Sequence, residues 1–414
     1  MTELALRRVG FEPAAPVLRR SEAEAPAPEG ALTLTLVSSF EGLTALAEEW
    51  DALFAAAARP EHVFQSHAWC WHWARTYLDA TSSRRTRLAI VTGRAEGRLV
   101  LIFPLVIERR FGLRHLAWLG APVSQYGDVI ADPTACQIGT LEAAWRFAVR
   151  ATRADLANLR RVRADATVAP LLARLDATIT AMEEAPYLDF ARAGDFESYC
   201  QGLPSKARAK NRRRQRRRLE ERGSLSFERH RKTAEAGALA RQAVEMKRAW
   251  LDERDRISFA LADARFERFF SGFAADPGRQ VGCDVLALRS AGEIGALQIA
   301  LECKGVRFLH VAVYALAFEK LGAGAVLLEE SVADCYALGL CRLDLLPPRH
   351  DYKMDFADGA IAVIDHALSL SVRGRVYTHG ALASRRRLKA AIERMPGPIR
   401  RLIARAIALA KRAR

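Results

Sequence analysis

Two stretches of the sequence predict the same order of elements, and this repeat constrains the fold more than any other feature. The segments “TRLAIVTGRAEGRLVLIFPLVIERRFGLRHLAWLG” and “CDVLALRSAGEIGALQIALECKGVRFLHVAVY” lie about 195 residues apart, and each predicts strand, turn, strand, turn and strand. Within them, “AEGRLVLIFPLVIERRFGLRHLAWL” lines up with “SAGEIGALQIALECKGVRFLHVAVY”. A predicted helix and a further strand follow both of them. A repeat on this scale predicts two copies of one α/β unit.

Alternating and helical spacings of apolar residues predict further elements around the repeat. These are a strand over “ALTLTLV” and helices over “FEGLTALAEEWDALFAAAA”, “HAWCWHWARTYL” and “VAPLLARLDATIT”. The tryptophans Trp69, Trp71 and Trp73 suggest a stacking platform, but at helical spacing they cannot all share one face. Core packing is therefore the prediction for these side chains.

The stretch “SKARAKNRRRQRRRLEERG” (Ser205–Gly223) is the most basic part of the chain. It holds nine Lys or Arg between Lys206 and Arg218 and no acid among them. Pro204 and Gly223 frame a predicted helix of roughly five turns. Its cations point all round, so it can be buried only where anions neutralise it. Two interpretations stay open: a solvated helix that bridges the halves, or a helix that meets an anionic donor or a lipid-linked acceptor.

Positive charge is concentrated in that stretch and in the C-terminal tail. Residues 385–414 hold eleven Lys or Arg against one acid, and the two elements together exceed the net charge of +15 of the whole chain. The remainder is therefore slightly acidic, which argues against nucleic-acid binding by the whole surface. The tail has the spacing of a basic amphipathic helix, which suits an anionic inner-leaflet surface. A helix docked on the protein, or a solvated tail, is the alternative.

The remaining composition predicts a cytoplasmic protein, peripheral at the inner membrane face if the tail binds lipid. The first 30 residues lack an apolar core segment and predict a disordered leader instead of a signal peptide. The run “LVLIFPLVI” is nine residues long, whereas spanning a bilayer takes about 20. Seven scattered cysteines without zinc-ligand spacing predict buried thiols in a reducing cytosol and no metal site.

Several motifs, in their order and spacing over roughly residues 33–375, resemble a known enzyme superfamily. They are “FQSHAWCWHWARTY”, “LVLIFPLVIERRFGLRHLAWLGAPVSQYGDVIADP”, “KNRRRQRRRLEERG” and “AFEKLGAGAVLLEESVADCYALGLCRLDLLPPRHDYKMDF”. Together they resemble the GNAT-type acyltransferases, closest to the tandem CelD-like acetyltransferases associated with cellulose biosynthesis, which are related to the FemABX transferases. The resemblance implies an α/β (α+β) fold of two tandem GNAT-type domains. Each would be a mixed sheet flanked by helices, with a basic inter-domain helix.

On this basis the chain divides into five predicted segments. They are a leader (1–30), an N-terminal GNAT-like domain (31–195), a basic helix and linker (196–230), a C-terminal acyltransferase domain (231–378) and a basic amphipathic tail (379–414).

The segment “EKLGAGAVLLEES” places glycines where a helix begins, and such a turn offers backbone amides and a dipole end to a phosphate. Gly322 and Gly324 match the glycines of the GNAT pyrophosphate loop, whereas Glu319 departs from its first position and would repel phosphate. Lys320 is positioned to compensate. The resemblance therefore implies binding of acetyl-CoA, as acyl donor, by Lys320, Gly322, Gly324 and Ala325. A plain strand-to-helix turn is the alternative.

Titratable groups gather in “RLDLLPPRHDYKMDF”, after a predicted strand end. Acyl transfer needs a base for the nucleophile's proton and a donor that steadies the departing group. The predicted assignments are Asp344 or His350 as base, Lys353 as the positive charge near the oxyanion, and Tyr352 as proton donor. The resemblance singles out Asp344 and the Tyr352–Lys353 pair. A polar surface loop is the alternative.

Three further residues are candidates for substrate contacts. In “PVSQYGDVIADP”, Tyr126 and Asp128 lie at a strand edge and would meet the acceptor in a cleft between the halves; a packed turn is the alternative. Arg212 is the candidate from the basic helix.

The predicted function is transfer of an acyl group, acetyl from acetyl-CoA, to an amine or hydroxyl of a small-molecule, lipid-linked or polysaccharide acceptor of the cell envelope. Attack on the thioester would be direct, because no Ser-His-Asp or Cys-His nucleophile motif is present. One alternative is a FemABX-like transferase that uses aminoacyl-tRNA held by the basic helix. Another is a non-catalytic accessory protein of polysaccharide (cellulose) biosynthesis.

Overall fold

Strands of the chain build two sheets, and helices cover both faces of the larger one. The computed structural model describes residues 32–78, 85–133, 137–201, 206–256, 258–277, 281–378 and 380, apart from the side chains of 206–209. The predicted leader and the tail segment 385–414 lie outside these residues. Within them, no helix is long and apolar enough to cross a membrane.

In the first half, one strand precedes three α-helices, six strands follow them, and two further α-helices alternate with the last two strands. The strands are β1 (Thr33–Val37), β2 (Thr86–Leu88), β3 (Ile90–Ala95), β4 (Arg98–Phe103), β5 (Leu105–Arg110), β6 (Leu113–Trp118), β7 (Ile130–Ala131), β8 (Leu156–Arg163) and β9 (Thr178–Asp189). The α-helices are α1 (Phe40–Ala45), α2 (Ala47–Ala57), α3 (His67–Tyr77), α4 (Ile138–Thr152) and α5 (Ala169–Arg174).

The second half continues with helices before its strands. The α-helices are α6 (Phe196–Gln201), α7 (Lys206–Glu220), α8 (Ala234–Glu253), α9 (Ala264–Ala275), α10 (Ala323–Ala337) and α11 (Asp351–Met354). The strands are β10 (Leu225–Arg231), β11 (Gly282–Ser290), β12 (Glu293–Cys303), β13 (Val306–Tyr314), β14 (Arg342–Asp344) and β15 (Gly359–Ser369). Residues 372–378 are again helical.

The larger sheet runs through both halves. It has eleven strands in the order β10-β11-β12-β13-β14-β9-β15-β8-β6-β5-β2, and the smaller sheet has four in the order β1-β3-β4-β7. Alternate side chains of β11 enter different cores: Val285 packs in the core that includes α8 and α9, and Leu286 in the core under α10. The prediction of a mixed α/β fold is confirmed.

The internal repeat appears as two matching crossovers. In the first half, β6 passes through α4 to β8, which pairs with β6 in parallel. In the second half, β13 passes through α10 to β14, and these two strands are again parallel. The other pairs of the larger sheet are antiparallel. The repeat seen in the sequence therefore corresponds to the same strand–helix–strand unit built twice.

The last strand of each half is exchanged with the other half. Strand β9 follows the first-half elements but pairs with β14, with Leu188 opposite Leu343. Strand β15 closes the second half but pairs with β8, with Ile364 opposite Val162. The two exchanged strands also pair with each other in the middle of the sheet. Each half therefore completes the sheet of the other.

One predicted helix is shorter than expected. The segment “VAPLLARLDATIT” is helical only to Arg174, and Thr178 already begins β9. Asp176 has a left-handed φ of +51°, which ends the helix, and the β-branched Thr178, Ile179 and Thr180 then favour a strand. The helical prediction for the end of this segment was wrong.

The aromatic helix α3 packs as predicted. Trp69 and Trp73 are buried, and the indole of Trp69 meets the rings of Phe269 and Phe273 on α9 at centroid distances of 4.7 and 5.1 Å. Trp71 is only partly buried, and its indole N–H donates to the hydroxyl of Thr44. The first-half helix and the second-half helix thus share one core.

The basic stretch forms α7, in agreement with the predicted helix. Among its residues from Lys210 onward, most cations are exposed, whereas Arg212 and Leu219 are buried. Leu219 packs in the core beneath α10. Helix α7 therefore lies on the second half with one face and presents its other cations to solvent.

Candidate active site

The candidate site lies where β13 and β14 separate. The two parallel strands are in register only from Val306 opposite Arg342 to Phe308 opposite Asp344. Strand β13 then continues to Tyr314, while the chain after Asp344 turns towards α11. This divergence opens the sheet at the segment in which titratable residues were predicted to gather.

Asp344 lies at the bottom of the opening and is buried. The Tyr126 hydroxyl donates to both carboxylate oxygens at 2.9 Å, Arg163 Nη1 donates at 3.2 Å, and the Leu346 amide donates at 2.8 Å. Burial raises the pKa of Asp344, and the charge of Arg163 opposes that rise. Because its oxygens already accept these donors, Asp344 holds the end of β14 to the first half.

Arg163 connects Asp344 to two more carboxylates. Its guanidinium lies 2.9 Å from Asp165, 3.2 Å from Asp344 and 3.4 Å from Glu61. Burial disfavours the charged form, but these partners raise the pKa of Arg163 above its usual value. A buried charge is stable in this position because several opposite charges neutralise it.

Lys353 is buried at the opening and faces backbone oxygens. Its Nζ donates to Leu346 O at 2.7 Å and to Pro348 O at 2.9 Å. Burial lowers the pKa of Lys353 to about 8; Asp344 opposes this shift, and Arg161 and Lys247 add to it. An ammonium has three N–H donors, so one remains for a ligand. Near neutral pH this amine is largely charged yet releases a proton readily.

His350 and Tyr352 form the outer rim of the opening. Both side chains are exposed, and their rings stack with centroids 6.0 Å apart at 18°. Burial, together with the charges of Lys353, Arg256 and Lys247, lowers the pKa of His350. The imidazole is therefore neutral at pH 7 and able to accept a proton. The structure brings His350, Tyr352 and Lys353 together and places Asp344 behind them.

Sequence reasoning missed Lys247 on α8. Its Nζ donates to Ala312 O of β13 at 2.9 Å and lies 4.4 Å from the ring centroid of Trp250. Burial, and then the charges of Arg254 and Arg256, lower the pKa of Lys247 to about 8. No sequence signal marks it, because a lysine in an amphipathic helix is ordinarily a surface residue.

Arg161 and His310 were also missed. Arg161 has a left-handed φ of +59°, and its Nη1 donates to Gln125 Oε1 at 2.5 Å. His310 Nε2 donates to Val123 O at 2.6 Å, and burial lowers the pKa of this imidazole to about 4. His310 therefore stays neutral, and the charge of Arg161 adds to the lowering of its pKa. A positive φ and a strand-to-loop bond cannot be read from sequence spacing.

The glycine turn lies at the start of α10, as predicted. Gly322 has φ +78°, and a Cβ there would be 2.4 Å from the side-chain amide of Gln215 on α7. The Ala325 and Val326 amides donate to Gly322 O at 3.0 and 3.2 Å, so a phosphate would have to meet the amides before them, and its binding at this turn stays a prediction. A Cβ at Gly324 would be 3.0 Å from the Tyr314 ring, and Ala325 is half-buried.

The charge of Glu319 beside this turn is compensated by Arg254. Arg254 Nη2 donates to the Glu319 carboxylate, and so does the Tyr314 hydroxyl at 3.1 Å. Lys320, which the sequence suggested for this role, is exposed. These bonds lower the pKa of Glu319, with Arg254 as the largest cause. The departure from the motif is thus neutralised by Arg254, the residue that caps the C-terminus of α8.

The first-half candidates are buried. Tyr126 meets Asp344 directly, and Asp128 accepts from the amides of Val129, Thr167 and Val168 at 2.8 to 2.9 Å. Asp128 also accepts from His62 Nε2 at 2.9 Å. These contacts hold the first-half loop in place. Contact of Tyr126 and Asp128 with an acceptor stays a prediction.

Arg212, the candidate from α7, is buried with its guanidinium 4.0 Å from the ring centroid of Phe356. Phe356 follows α11 and packs in the same core as Leu345, just beyond β14. Arg212 therefore lies beside the second-half crossover.

Comparison with known proteins agrees with this geometry. A family described as an acetyltransferase (GNAT) domain matches residues 205–354, the segment that holds α7, the glycine turn and Lys353. FemX has a similar structure, with a TM-score of 0.55 and 8% identity over 80% of this chain and 97% of FemX. The protein has a GNAT-type acyltransferase fold.

Two further solved structures are similar to the chain. L-PGS from Bacillus licheniformis has a TM-score of 0.51 and 12% identity over 82% of this chain and 95% of that one. A tandem GNAT protein from the clavulanic acid biosynthesis pathway has a TM-score of 0.48 and 15% identity over 82% of this chain and 99% of that one. No curated protein sequence matches the chain.

Proposed function

We propose that the protein is an acyltransferase that moves an acetyl group from acetyl-CoA to an amine or hydroxyl of a cell-envelope or polysaccharide precursor, as the CelD-like resemblance implies. The observation that carries the proposal is Lys353, a buried amine with a pKa of about 8 at the divergence of β13 and β14. It lies inside the segment that matches the GNAT family.

Acetyl-CoA would supply an activated thioester at this opening. The residues that would hold it are Lys320, Gly322, Gly324 and Ala325 at the start of α10, where amides and the helix dipole favour phosphate. Lys353 Nζ supports negative charge on the reacting oxygen with its remaining N–H. His350, neutral and exposed at the rim, would accept the proton of the attacking amine or hydroxyl. As the C–S bond of the thioester breaks, Tyr352 would donate a proton to the departing coenzyme A thiolate. Asp344 acts as a positioning residue through β14.

Calorimetric titration of acetyl-CoA, with wild type and Gly324→Glu, tests the donor. We expect micromolar binding by wild type and none by the variant, because the added carboxylate repels phosphate and crowds Tyr314. Absence of binding by the wild-type protein would rule out this donor.

Release of free thiol from acetyl-CoA, with amino sugars and other sugars as acceptors, tests the site. We expect Lys353→Met to lower turnover by about 100-fold, the effect of losing one oxyanion donor, with donor affinity changed only a few-fold. Lys304→Met is the matched control, because Lys304 also donates to two backbone carbonyls, those of Ala55 and Ala58, outside the opening. Equal activity of the two variants would remove Lys353 from the mechanism.

A second candidate function uses aminoacyl-tRNA as donor, as the FemABX resemblance implies. Supporting it, α7 exposes cations for which the described residues provide no carboxylate within 4.0 Å; these are Lys210, Arg213, Arg214 and Arg218. A salt-sensitive complex with tRNA, together with no binding of acetyl-CoA, would favour this donor.

A further inference from the structure

Three arginines of the described structure are deeply buried, and they differ in how their charge is neutralised. Arg307 is fully buried and lies 2.7 Å from Asp334, 3.5 Å from Glu302 and 3.6 Å from Asp284. Arg163 likewise has three carboxylates around it. Both arginines are therefore structural members of charge networks.

Arg212 has no such partner. It is 7% exposed, yet no carboxylate of the described residues lies within 4.0 Å, and its Nη1 is buried without a hydrogen-bond partner there. Glu329 is near enough for Arg212 to lower its pKa, against a larger rise from burial, but the two form no ion pair. A buried, unpaired cation destabilises a fold. Arg212 lacks a carboxylate partner, so an anion from outside the chain could neutralise its charge.

The surroundings of Arg212 suit an oxyanion. The Phe356 ring, 4.0 Å from the guanidinium, fixes its plane. The Tyr199 hydroxyl of α6 is buried beside Arg212; burial raises the pKa of Tyr199, and the charge of Arg212 and a hydrogen bond between the two side chains oppose that rise. A planar guanidinium fork and a hydroxyl are donors that match phosphate geometry.

Helix α7 links this position to the glycine turn. Gln215 lies one turn after Arg212, so both side chains are on the same face of α7. Its side-chain amide lies against Gly322, and its Oε1 is buried without a partner among the described residues. Unsatisfied polar groups therefore run along α7 from the start of α10 towards Arg212.

We propose that Arg212 and the Tyr199 hydroxyl form a binding site for a phosphate group of an organic phosphate that lies beneath α7. Coenzyme A is one source of that phosphate, and only this choice of source rests on the proposed function; a phosphorylated acceptor is the other. Arg212 is then a binding residue supplied by the basic helix, and α7 forms one wall of the ligand groove.

Thermal unfolding of the full chain tests whether Arg212 is structural. In the absence of ligand, we expect the Arg212→Met variant to melt at or above the wild-type temperature. The substitution removes a buried charge that has no carboxylate partner, and it keeps the apolar volume of the side chain. Arg307→Met is the control, and it should melt several degrees lower because three carboxylates lose their partner. Equal losses in both variants would overturn the inference, since Arg212 would then be structural.

Ligand titrations of the same proteins test the anion. We expect coenzyme A and inorganic pyrophosphate, but not pantetheine, to stabilise wild type, with affinities at least tenfold weaker in Arg212→Met and a few-fold weaker in Tyr199→Phe. Binding of pyrophosphate through Arg212 without binding of coenzyme A supports the site and removes the proposed donor. Binding of coenzyme A with unchanged affinity in Arg212→Met overturns the site and leaves the donor in place. Failure of wild type to bind either phosphate also overturns the site.

Discussion

The two crossovers share one topology and an apolar core beneath the helix, but they differ at the ends of their parallel strands. In β6–α4–β8 the space is occupied by aromatic rings: Phe103 stacks on Trp118 at 5.5 Å and lies 6.0 Å from Trp145 of α4. Beneath α10, the β13–α10–β14 crossover also has an apolar core, which includes Leu309, Leu328 and Leu343. The difference lies at the strand ends, where β13 and β14 diverge beside Lys353, an amine with a pKa lowered to about 8.

The same contrast holds for matched positions on the strands. The middle pair of the parallel register is Leu116 with Ala157 in the first half and Arg307 with Leu343 in the second. The last pair ends on Asn158 in the first half and on Asp344 in the second. At matched positions the first crossover therefore has neutral side chains, and the second has charged ones.

The largest expected effect comes from the last pair of each crossover. Asp344→Ala leaves Arg163 and Tyr126 without their shared acceptor and should lower the free energy of unfolding by about 3–5 kcal/mol. Asn158→Ala, at the matched position, should cost below about 1 kcal/mol, since Asn158 is half-buried with only a long contact of 3.4 Å to His115. Urea unfolding measures both, and similar losses would erase the distinction between the two crossovers.

The glycines at the starts of α10 and α4 should also differ in how their substitution changes stability. Gly322→Ala should destabilise by about 1–3 kcal/mol, because φ is +78° and the new Cβ meets Gln215. Gly139→Ala, in the first turn of α4, should stabilise by about 0.5–1 kcal/mol, since no described atom lies within 4 Å of its Cβ position. Thermal unfolding of the pair decides this. A stabilising Gly322→Ala would mean that the turn is not constrained by α7.

The pH dependence of stability reports on Lys353. Its folded pKa of about 8 lies below its usual value of 10.5, so between these values the unfolded chain binds more protons. Stability therefore rises with pH through this window, by about 1–2 kcal/mol from pH 7 to pH 9.5. We expect this rise in wild type relative to Lys353→Met, measured by urea unfolding at stepped pH. If the stability of wild type and of Lys353→Met changed equally with pH, the Lys353 amine would be solvated.

The smallest effect is expected at Lys320. Lys320→Ala should weaken binding of acetyl-CoA at most a few-fold and change stability by less than about 0.5 kcal/mol, because the side chain is exposed. Arg254→Ala should weaken binding more, since it frees the charge of Glu319 beside the glycine turn. Calorimetry measures the affinity of both variants for acetyl-CoA. A larger loss in Lys320→Ala than in Arg254→Ala would show that Lys320 compensates the charge of Glu319.

Much of the fold could be predicted because its buried strands alternate or run apolar. The strands around both turns of the repeat, the helix over the tryptophans and the basic helix all carry such local signals. The exchanged strands β9 and β15 carry a weaker local signal. Residues Thr178–Glu184 of β9 are all exposed, so their sequence shows no burial pattern. Pairing of β9 with β14 depends on contacts that local sequence does not encode.

The candidate site was partly predictable for a similar reason. His350, Tyr352 and Lys353 are neighbours in sequence, so their convergence needed only a turn. Lys247 and Arg161 arrive from other elements, and only the tertiary fold brings their charges close enough to shift the pKa of Lys353.

The exchange of β9 and β15 sets a condition on how the chain folds during synthesis. The β15 side of β8 has no neighbour until residues 359–369 have left the ribosome, although β8 itself ends at Arg163. The first half therefore keeps an open strand edge until nearly the whole chain has been synthesised. Such an edge invites pairing with other nascent chains. We expect truncation before β15 to leave this edge of β8 without its neighbour, and therefore expect the first half to fold poorly when it is expressed alone.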